Sequence, residues 1–231
     1  AAENERLPDR KVQLMQTRTK YLEKLEDLSA LLGQLGEKSV LDVRAVGRAL
    51  AGEEQAAEGV VAGDKASRHL RSAIEDRCLD IMLMQQPLVA DDLREVTGAF
   101  RIVSDLAHIE EMARDVAYLS QQLTPKATSH LSDEFAQATD KVSNMVALAV
   151  KAFADADVAL AQRVFAMDDA VDDLYDRCEQ VIVEMILSES SGARHLTELL
   201  MVAKYFERMG DDAERIAGWA VFRATGEHAL H

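Results

Sequence analysis

Apolar residues recur at alternating spacings of three and four along most of the chain, and the pattern is clearest in the second half. This period places apolar side chains on one face of an α-helix. Because the runs continue over many turns, they predict long helices packed at small crossing angles. The three runs of the second half are Phe135, Ala138, Val142, Met145, Ala149, Ala152 and Ala156; Val164, Met167, Val171, Leu174, Cys178, Val181 and Met185; and Leu196, Leu199, Ala203, Phe206, Gly210, Ala213, Ala217 and Ala220.

The first half shows the same period in three further stretches, the third of which includes Val96, Phe100 and Val103. Turn-forming residues interrupt the pattern, so three long helices are predicted on either side of Pro125. A helix of about 30 residues is about 45 Å long at 1.5 Å per residue. The interruptions lie at 52–54, 85–87, 123–126, 154–157 and 188–192.

The two halves resemble each other. Residues 64–70 align with 168–174 at an offset of 104, and residues 106–117 align with 206–217 at an offset of 100. Such self-similarity predicts an all-α tandem repeat of two three-helix bundles, forming an elongated six-helix molecule. The alternative is one irregular bundle whose halves are similar by chance.

The breaks also suggest domain limits. We interpret residues 1–14 as an N-terminal extension, 15–123 as the first three-helix repeat and 126–226 as the second. The opening residues lack the basic and apolar regions of a signal peptide, and no uncharged apolar run approaches the ~18 residues of a membrane span. We therefore expect a cytoplasmic protein that meets a membrane only through partners.

Composition supports a helical globular chain and excludes some partners. Apolar residues make up 48% and charged residues 29%, with only 11 Gly and 3 Pro to make turns. The 26 Lys and Arg against 41 Asp and Glu leave a net charge of −15. This balance argues against nucleic-acid binding and against adhesion to anionic lipid, because both need clustered positive charge.

The cysteines and histidines do not form a framework. Cys78 and Cys178 each lie within a helical apolar pattern, so they are interpreted as buried thiols in a reducing cytoplasm, with a disulfide as the alternative. The six histidines have no spacing that pairs them for zinc. A di-iron bundle needs two Glu-x-x-His motifs, and the one near match is Asp105 with His108.

Two carboxylate pairs stand out in the second half. Asp168 with Asp172, and Glu207 with Asp211, are four residues apart, which places each pair on one helix face. Both pairs flank their apolar seams in the same register. If the two helices are neighbours, four carboxylates converge on one patch. Gly210 lies between them in the seam, where its lack of a side chain lets a helix or a metal cluster approach.

Converging carboxylates without cysteine suit a hard or borderline cation, such as Mg²⁺, Mn²⁺, Ca²⁺ or iron, rather than a structural zinc. The predicted ligands are Asp168, Asp172, Glu207 and Asp211. The alternative interpretation is an acidic helix face that is simply solvated.

The first half keeps only part of this pattern. Asp64 and Glu111 retain two of the carboxylates. Arg68 and Ala107 replace the other two. Since Arg68 can pair with Asp64 or Glu111 in place of a cation, we predict one metal-capable patch and one that is salt-bridged or empty.

No enzyme motif is visible in the sequence. The chain has no Gly-rich phosphate loop, no Gly-x-Ser-x-Gly, no dinucleotide fingerprint and no Cys-His nucleophile signature. We therefore expect a protein that is not an enzyme. Because carboxylates can support metal-assisted hydrolysis, a metal-dependent hydrolase stays an alternative.

Two segments and the tandem repeat together resemble the PhoU family, the accessory regulators of bacterial phosphate-specific transport. The segments are QPLVADDLR at 86–94 and FERMGDDAERIA at 206–217, and the tail WAVFRATG at 219–226 is most similar to actinobacterial members. Together with the tandem repeat, the resemblance extends from about Met15 to Gly226.

The resemblance implies two three-helix bundles, and a carboxylate motif that binds metal clusters in some members. By position, Asp168, Asp172, Glu207 and Asp211 match that motif in the second repeat. Family members usually continue Gly-Asp with His and later Asn, where this chain has Asp212 and Arg215. The first repeat also departs from the motif, at Arg68, Ala107 and His108. These departures argue against a symmetric pair of metal clusters. The turn at 87–93 is one residue longer than in the family.

The resemblance also implies partners. One is the ATPase subunit of the phosphate transporter, through which a family member restrains phosphate uptake. The other is the phosphate-sensing histidine kinase, which is kept inactive when phosphate is plentiful. The leading hypothesis is thus a non-catalytic adaptor of phosphate homeostasis. The alternatives are the metal-dependent hydrolase and a metal-independent scaffold whose acidic face docks a basic partner. The small-residue seam also allows a homodimer.

Overall fold

The structure is a computed structural model that describes residues 7–84, 90–188 and 193–229. Within these ranges the chain is helical and has no strand, which confirms the all-α prediction and the three long helices on either side of Pro125. One 3₁₀ turn, Ser129–Leu131, precedes the fifth helix. The helices are α1 Leu7–Leu50, α2 Glu54–Met84, α3 Ala90–Ser120, α4 Pro125–Thr128, α5 Ser132–Asp155, α6 Val158–Leu187 and α7 Ala193–Thr225.

The long helices form two bundles that pack side by side. Helices α1, α2 and α3 contact one another, as do α5, α6 and α7. The bundles meet where α1 packs against α5 and α3 packs against α7. In the first of these pairs Gly36 lies against Val150 and Gly47 against Thr139, so the two helices run antiparallel. Helices α2 and α6 therefore lie on the outside, each against two helices of its own bundle.

The limits of the helices agree with most of the predicted breaks. Helix α1 begins at Leu7 and is 44 residues long, so it includes much of the segment interpreted as an extension. Helices α2 and α3 have 31 residues each, or about 46 Å. The predicted break at 85–87, and all of the predicted break at 188–192 except Ser188, lie outside the described residues. No helix among the described residues combines the length and apolarity needed to cross a membrane.

The predicted apolar seams form the core. Every member of the α7 seam is buried, and the ring centroids of Phe206 and Phe135 lie 6.3 Å apart. The α3 prediction was wrong at Phe100, which is 41% exposed, whereas Ala99 and Ile102 are fully buried. The reason is that α3 packs against α1, α2 and α7, so its buried face is broader than one seam and rotated away from Phe100.

Both cysteines are free and buried, as predicted. Burial raises the pKa of the Cys78 thiol and of the Cys178 thiol to about 12. A thiol with so high a pKa stays protonated at neutral pH, and it therefore behaves as a small apolar side chain.

The turn between α5 and α6 consists of a residue that ends α5 and a residue that caps α6. Ala156 adopts a left-handed conformation with φ of 50°, which ends α5. Asp157 then caps α6, because its Oδ1 accepts hydrogen bonds from the backbone N–H groups of Ala159 and Leu160 at 2.9 and 3.0 Å. The two helices are thus joined by a turn of two residues.

Replacing Asp157 by alanine is expected to lower the free energy of unfolding by about 1 kcal/mol, because two N–H groups at the start of α6 lose their acceptor. Urea unfolding followed by circular dichroism measures the change. Asp173→Ala, at an exposed site inside the same helix, is the control and should change it by less than about 0.5 kcal/mol. Equal effects of the two substitutions would show that the cap contributes nothing.

Candidate metal centre

The four predicted ligands lie on two adjacent helices. Asp168 and Asp172 are on α6, and Glu207 and Asp211 are on α7, which packs against α6. Gly210 lies at the contact: a Cβ there would be 3.3 Å from Val171 Cγ1 and 3.4 Å from Asp168 Oδ1. The missing side chain therefore lets the two helices bring their carboxylates together.

Three of the four carboxylates converge. One carboxylate oxygen from each of Asp168, Asp172 and Asp211 lies within 4.8 Å of the other two. Two of the three residues are half-buried and Asp172 is exposed, so the group opens to solvent. Three oxygens at this spacing can coordinate one divalent cation, with water completing its shell.

Glu207 lies beside these three carboxylates but forms an ion pair with a lysine on its own helix. Its Oε1 accepts a hydrogen bond from Lys204 Nζ at 2.7 Å, and that ammonium also lies 4.7 Å from the centre of the Tyr175 ring. Its Oε2 is buried and has no hydrogen-bond partner among the described residues. The structure thus gathers three of the four sequence-predicted ligands and leaves the fourth with one unsatisfied oxygen next to them.

Burial and mutual repulsion raise the pKa values of these carboxyl groups. For Asp168 the pKa rises to about 7, first through burial and then through the charges of Glu214, Asp172 and Asp211. Burial, followed by the charge of Glu207, also raises the pKa values of Asp172 and Asp211. A bound cation favours the ionised carboxylates, so cations and protons compete for this site.

The matching place in the first repeat is salt-bridged, as predicted. Arg68 contacts Asp64 at 2.6 Å, and Arg114 donates a short hydrogen bond to the same carboxylate. Arg114 also lies 3.9 Å from Glu111. Two guanidinium groups therefore supply the positive charge that a cation would bring.

A second polar network joins the two repeats across the α3–α7 contact. Asp212 is fully buried, and its Oδ2 lies 2.7 Å from His108 Nδ1. Arg215 contacts Asp212 and donates from Nε to Asp105 at 3.2 Å. Asp105 and His108, the near match to a di-iron motif, thus contact Asp212 and Arg215, the two residues that depart from the family pattern. Sequence reasoning missed this network because its members are distant along the chain.

Comparisons with known proteins agree with this architecture. The family model described as "PhoU domain" matches twice, at residues 32–119 and 135–220, once in each bundle. The chain belongs to the PhoU family. The resemblance found in the sequence is therefore confirmed, while its closeness to actinobacterial members stays a prediction.

Relatives in the PhoU family match over most of their length. One from Clostridium acetobutylicum, named a phosphate-specific transport system accessory protein PhoU homolog, is 28% identical over 89% of this chain and 93% of its own. A protein of the same name from Aquifex aeolicus is 32% identical over 76% of this chain and 79% of its own. The crystal structure of PhoU from Pseudomonas aeruginosa superimposes with a TM-score of 0.81 at 24% identity, covering 90% of this chain and 100% of that one.

Proposed function

We propose that this protein is a non-catalytic regulator of phosphate homeostasis. It restrains the phosphate-specific transporter through its ATPase subunit, and it holds the phosphate-sensing histidine kinase inactive when phosphate is plentiful. One observation supports this most: both bundles match the PhoU domain, and relatives matched over most of their length are named accessory proteins of phosphate-specific transport.

Charge and shape favour action by contact in the cytoplasm. A net charge of −15 steers the protein toward basic surfaces on its partners, and association should weaken as salt rises. The long helices pack through one continuous core. Such a body is better suited to selecting one of two partner conformations than to rearranging itself. A homodimer through the helix faces is a further proposal, which sedimentation velocity tests directly.

We also infer that the second repeat holds a divalent cation, Mg²⁺, Mn²⁺ or iron, through Asp168, Asp172 and Asp211. The three converging carboxylates supply the oxygen ligands that such ions prefer. The buried, unsatisfied Oε2 of Glu207 beside them also fits a missing positive charge. The cation would neutralise this acidic face and thereby set the surface that a partner meets.

Affinity capture from phosphate-replete cells tests the adaptor role. The full chain, tagged and immobilised, is expected to retain the transporter ATPase subunit or the histidine kinase, and untagged protein should compete both away. The complex should weaken several-fold between about 0.05 and 0.3 M salt, because the Debye length shortens over that range. Mass spectrometry identifies the partners.

The two alternatives predict different results in the same preparation. The metal-dependent hydrolase is favoured by the three carboxylates within 4.8 Å of each other, and it requires turnover of phosphate esters that stops in Asp211→Asn. A metal-independent scaffold requires partner capture that is unchanged in Asp211→Asn and by chelation. Capture of neither named partner, with the bait folded, would contradict the adaptor proposal.

A further inference from the structure

An open groove of about 560 Å³ follows the contact between α1 and α5. A Cβ built on Gly33 would meet no atom within 4 Å, so the groove is open at that residue. The volume lies within the roughly 300–1,000 Å³ of ligand pockets, but the lining has no buried polar group to orient a small molecule. The groove therefore suits an apolar side chain brought by another helix. Its small and apolar walls are Gly33, Gly36 and Val40 of α1 and Ala147, Val150 and Ala154 of α5.

Leu41 also lines this groove and is exposed. Its exposed fraction is 62%, although it lies more than two turns before the end of α1 at Leu50. The nearby Val43 and Val46 are fully buried. A single exposed leucine needs no explanation, but one that adjoins an apolar groove extends it into a continuous apolar patch. Such a patch is typical of a surface that binds another protein.

Two opposite charges flank Leu41 on the same face of α1. Glu37 lies four residues before it and Arg44 three residues after it, and both line the groove. Glu37 is exposed and has no ion-pair partner among the described residues. Within the same ranges, the side chain of Arg44 contacts only a neutral group, donating from Nε to Ser143 Oγ at 3.4 Å. Each charge is therefore available to a group outside this chain.

This order of groups along α1 is complementary to itself when the helix is reversed. In two antiparallel copies of α1, related by a two-fold axis between residues 40 and 41, Glu37 of each copy faces Arg44 of the other. Leu41 of each copy then faces Val40 of the other, which lines the groove. Parallel copies would instead place Glu37 beside Glu37 and Arg44 beside Arg44. The charges therefore favour the antiparallel pair, in which two ion pairs form at once.

We propose that the α1–α5 groove is a surface on which a second copy of this chain docks, with the two α1 helices antiparallel, Leu41 in the groove of the other copy and Glu37 paired with Arg44. A second copy fits because the chain itself supplies both the apolar side chain and the opposite charges that this surface needs. An anionic membrane does not fit, because the net charge is −15. The inference rests on the homodimer proposed above and names its face, whereas the adaptor role does not depend on it.

Sedimentation velocity of the full chain, over about a hundredfold range of concentration, tests the proposal. The wild type is expected to form a dimer at the upper end of this range. Leu41→Lys should weaken the dimer at least about tenfold, because an ammonium group cannot enter an apolar groove without losing its hydration. Leu22→Lys is the matched control: Leu22 is 48% exposed on the same helix but outside the groove, so its replacement should leave the dimer unchanged. Both side chains are exposed, so the fold is retained in both variants.

Exchanging the two charges gives a pattern that a general loss of stability cannot produce. Glu37→Arg and Arg44→Glu should each weaken the homodimer at least about tenfold, because like charges then meet twice. A mixture of the two variants should form a mixed dimer, in which the arginines of one chain meet the glutamates of the other. A chain that carries both substitutions should dimerise like the wild type, because both ion pairs are restored with their charges exchanged.

The results that would overturn the proposal differ in what they leave standing. A wild type that stays monomeric at every concentration overturns it together with the homodimer, and loss of partner capture in Leu41→Lys would then assign the groove to the transporter ATPase or the histidine kinase. A dimer that persists in Leu41→Lys and in both charge variants forms through another face, so the homodimer stands and this assignment fails. Loss of the dimer in Leu41→Lys without recovery in the mixture contradicts the antiparallel pairing.

Discussion

Asparagine in place of Asp168 is expected to stabilise the metal-free protein at pH 8 and, at the same time, to abolish its stabilisation by divalent cations. The first effect arises because an ionised Asp168 is partly buried next to other carboxylates. The second arises because the substitution removes one of the three converging ligands. One variant thus changes stability in opposite directions with and without metal, which a simple loss of packing cannot do.

The effect on the metal-free protein should depend on pH. The pKa of Asp168 is about 7 in the folded protein against an ordinary value of 3.8, so between these pH values the folded state binds more protons than the unfolded state. Stability from this group is therefore fully present near pH 4 and is lost as pH rises to about 7. The difference between Asp168→Asn and wild type should be small at pH 4 and largest above pH 7.

Urea unfolding across this pH range, with chelator or with Mn²⁺, measures both effects. At a free Mn²⁺ concentration 100 times the dissociation constant, the wild type should gain about 2.7 kcal/mol and the variant close to nothing. Asp173→Asn, an exposed change on the same helix, is the control and should retain the metal response. A variant that gains as much from Mn²⁺ as the wild type would exclude Asp168 as a ligand.

Replacing Phe206 by alanine is expected to lower the free energy of unfolding by about 3–5 kcal/mol. The ring is 1% exposed and packs near Phe135 beneath the carboxylate patch, so its removal leaves a cavity between α5 and α7. For a chain of this size, such a loss should lower the melting temperature by roughly 10 °C. Differential scanning calorimetry and urea unfolding measure the change.

Phe100→Ala is the matched control. Both phenylalanines occupy apolar positions with helical spacing, but Phe100 is 41% exposed and should contribute only about 1 kcal/mol or less. Similar losses in the two variants would mean that Phe100 is covered in solution, as it would be in an assembly. The pair therefore tests the core and reports on an interface at α3.

Much of the candidate site could be predicted from the sequence because it depends on local geometry. A spacing of four residues places Asp168 and Asp172 on one helix face in any α-helix. Consecutive helices of a bundle are usually neighbours, so the approach of α6 to α7 followed from a short connection. The salt-bridged first repeat was likewise readable, because Arg68 stands one turn from Asp64.

The individual partners could not be predicted. Glu207 follows the same spacing rule as Asp211, yet Lys204, one turn earlier, takes one of its oxygens. Aspartate is a residue type usually found on the surface, but the contact of α7 with α3 buries Asp212 against His108. The flexible side chain of Lys204 decides the first outcome, because a lysine one turn from a carboxylate can equally extend into solvent. A helix that is distant in the sequence decides the second.

The sequence by itself determined the six long helices and most of their apolar seams, the duplication, and which helix faces carry carboxylates. These properties follow from periodicities of the backbone that each segment carries alone. Only the tertiary structure decided which side chains share a site: the antiparallel contacts of α1 with α5 and α3 with α7, the burial of Asp212 and the contact of Arg114 with Asp64. Those depend on the packing of helices that are distant in the chain, where the shapes and charges of several surfaces must be satisfied at once.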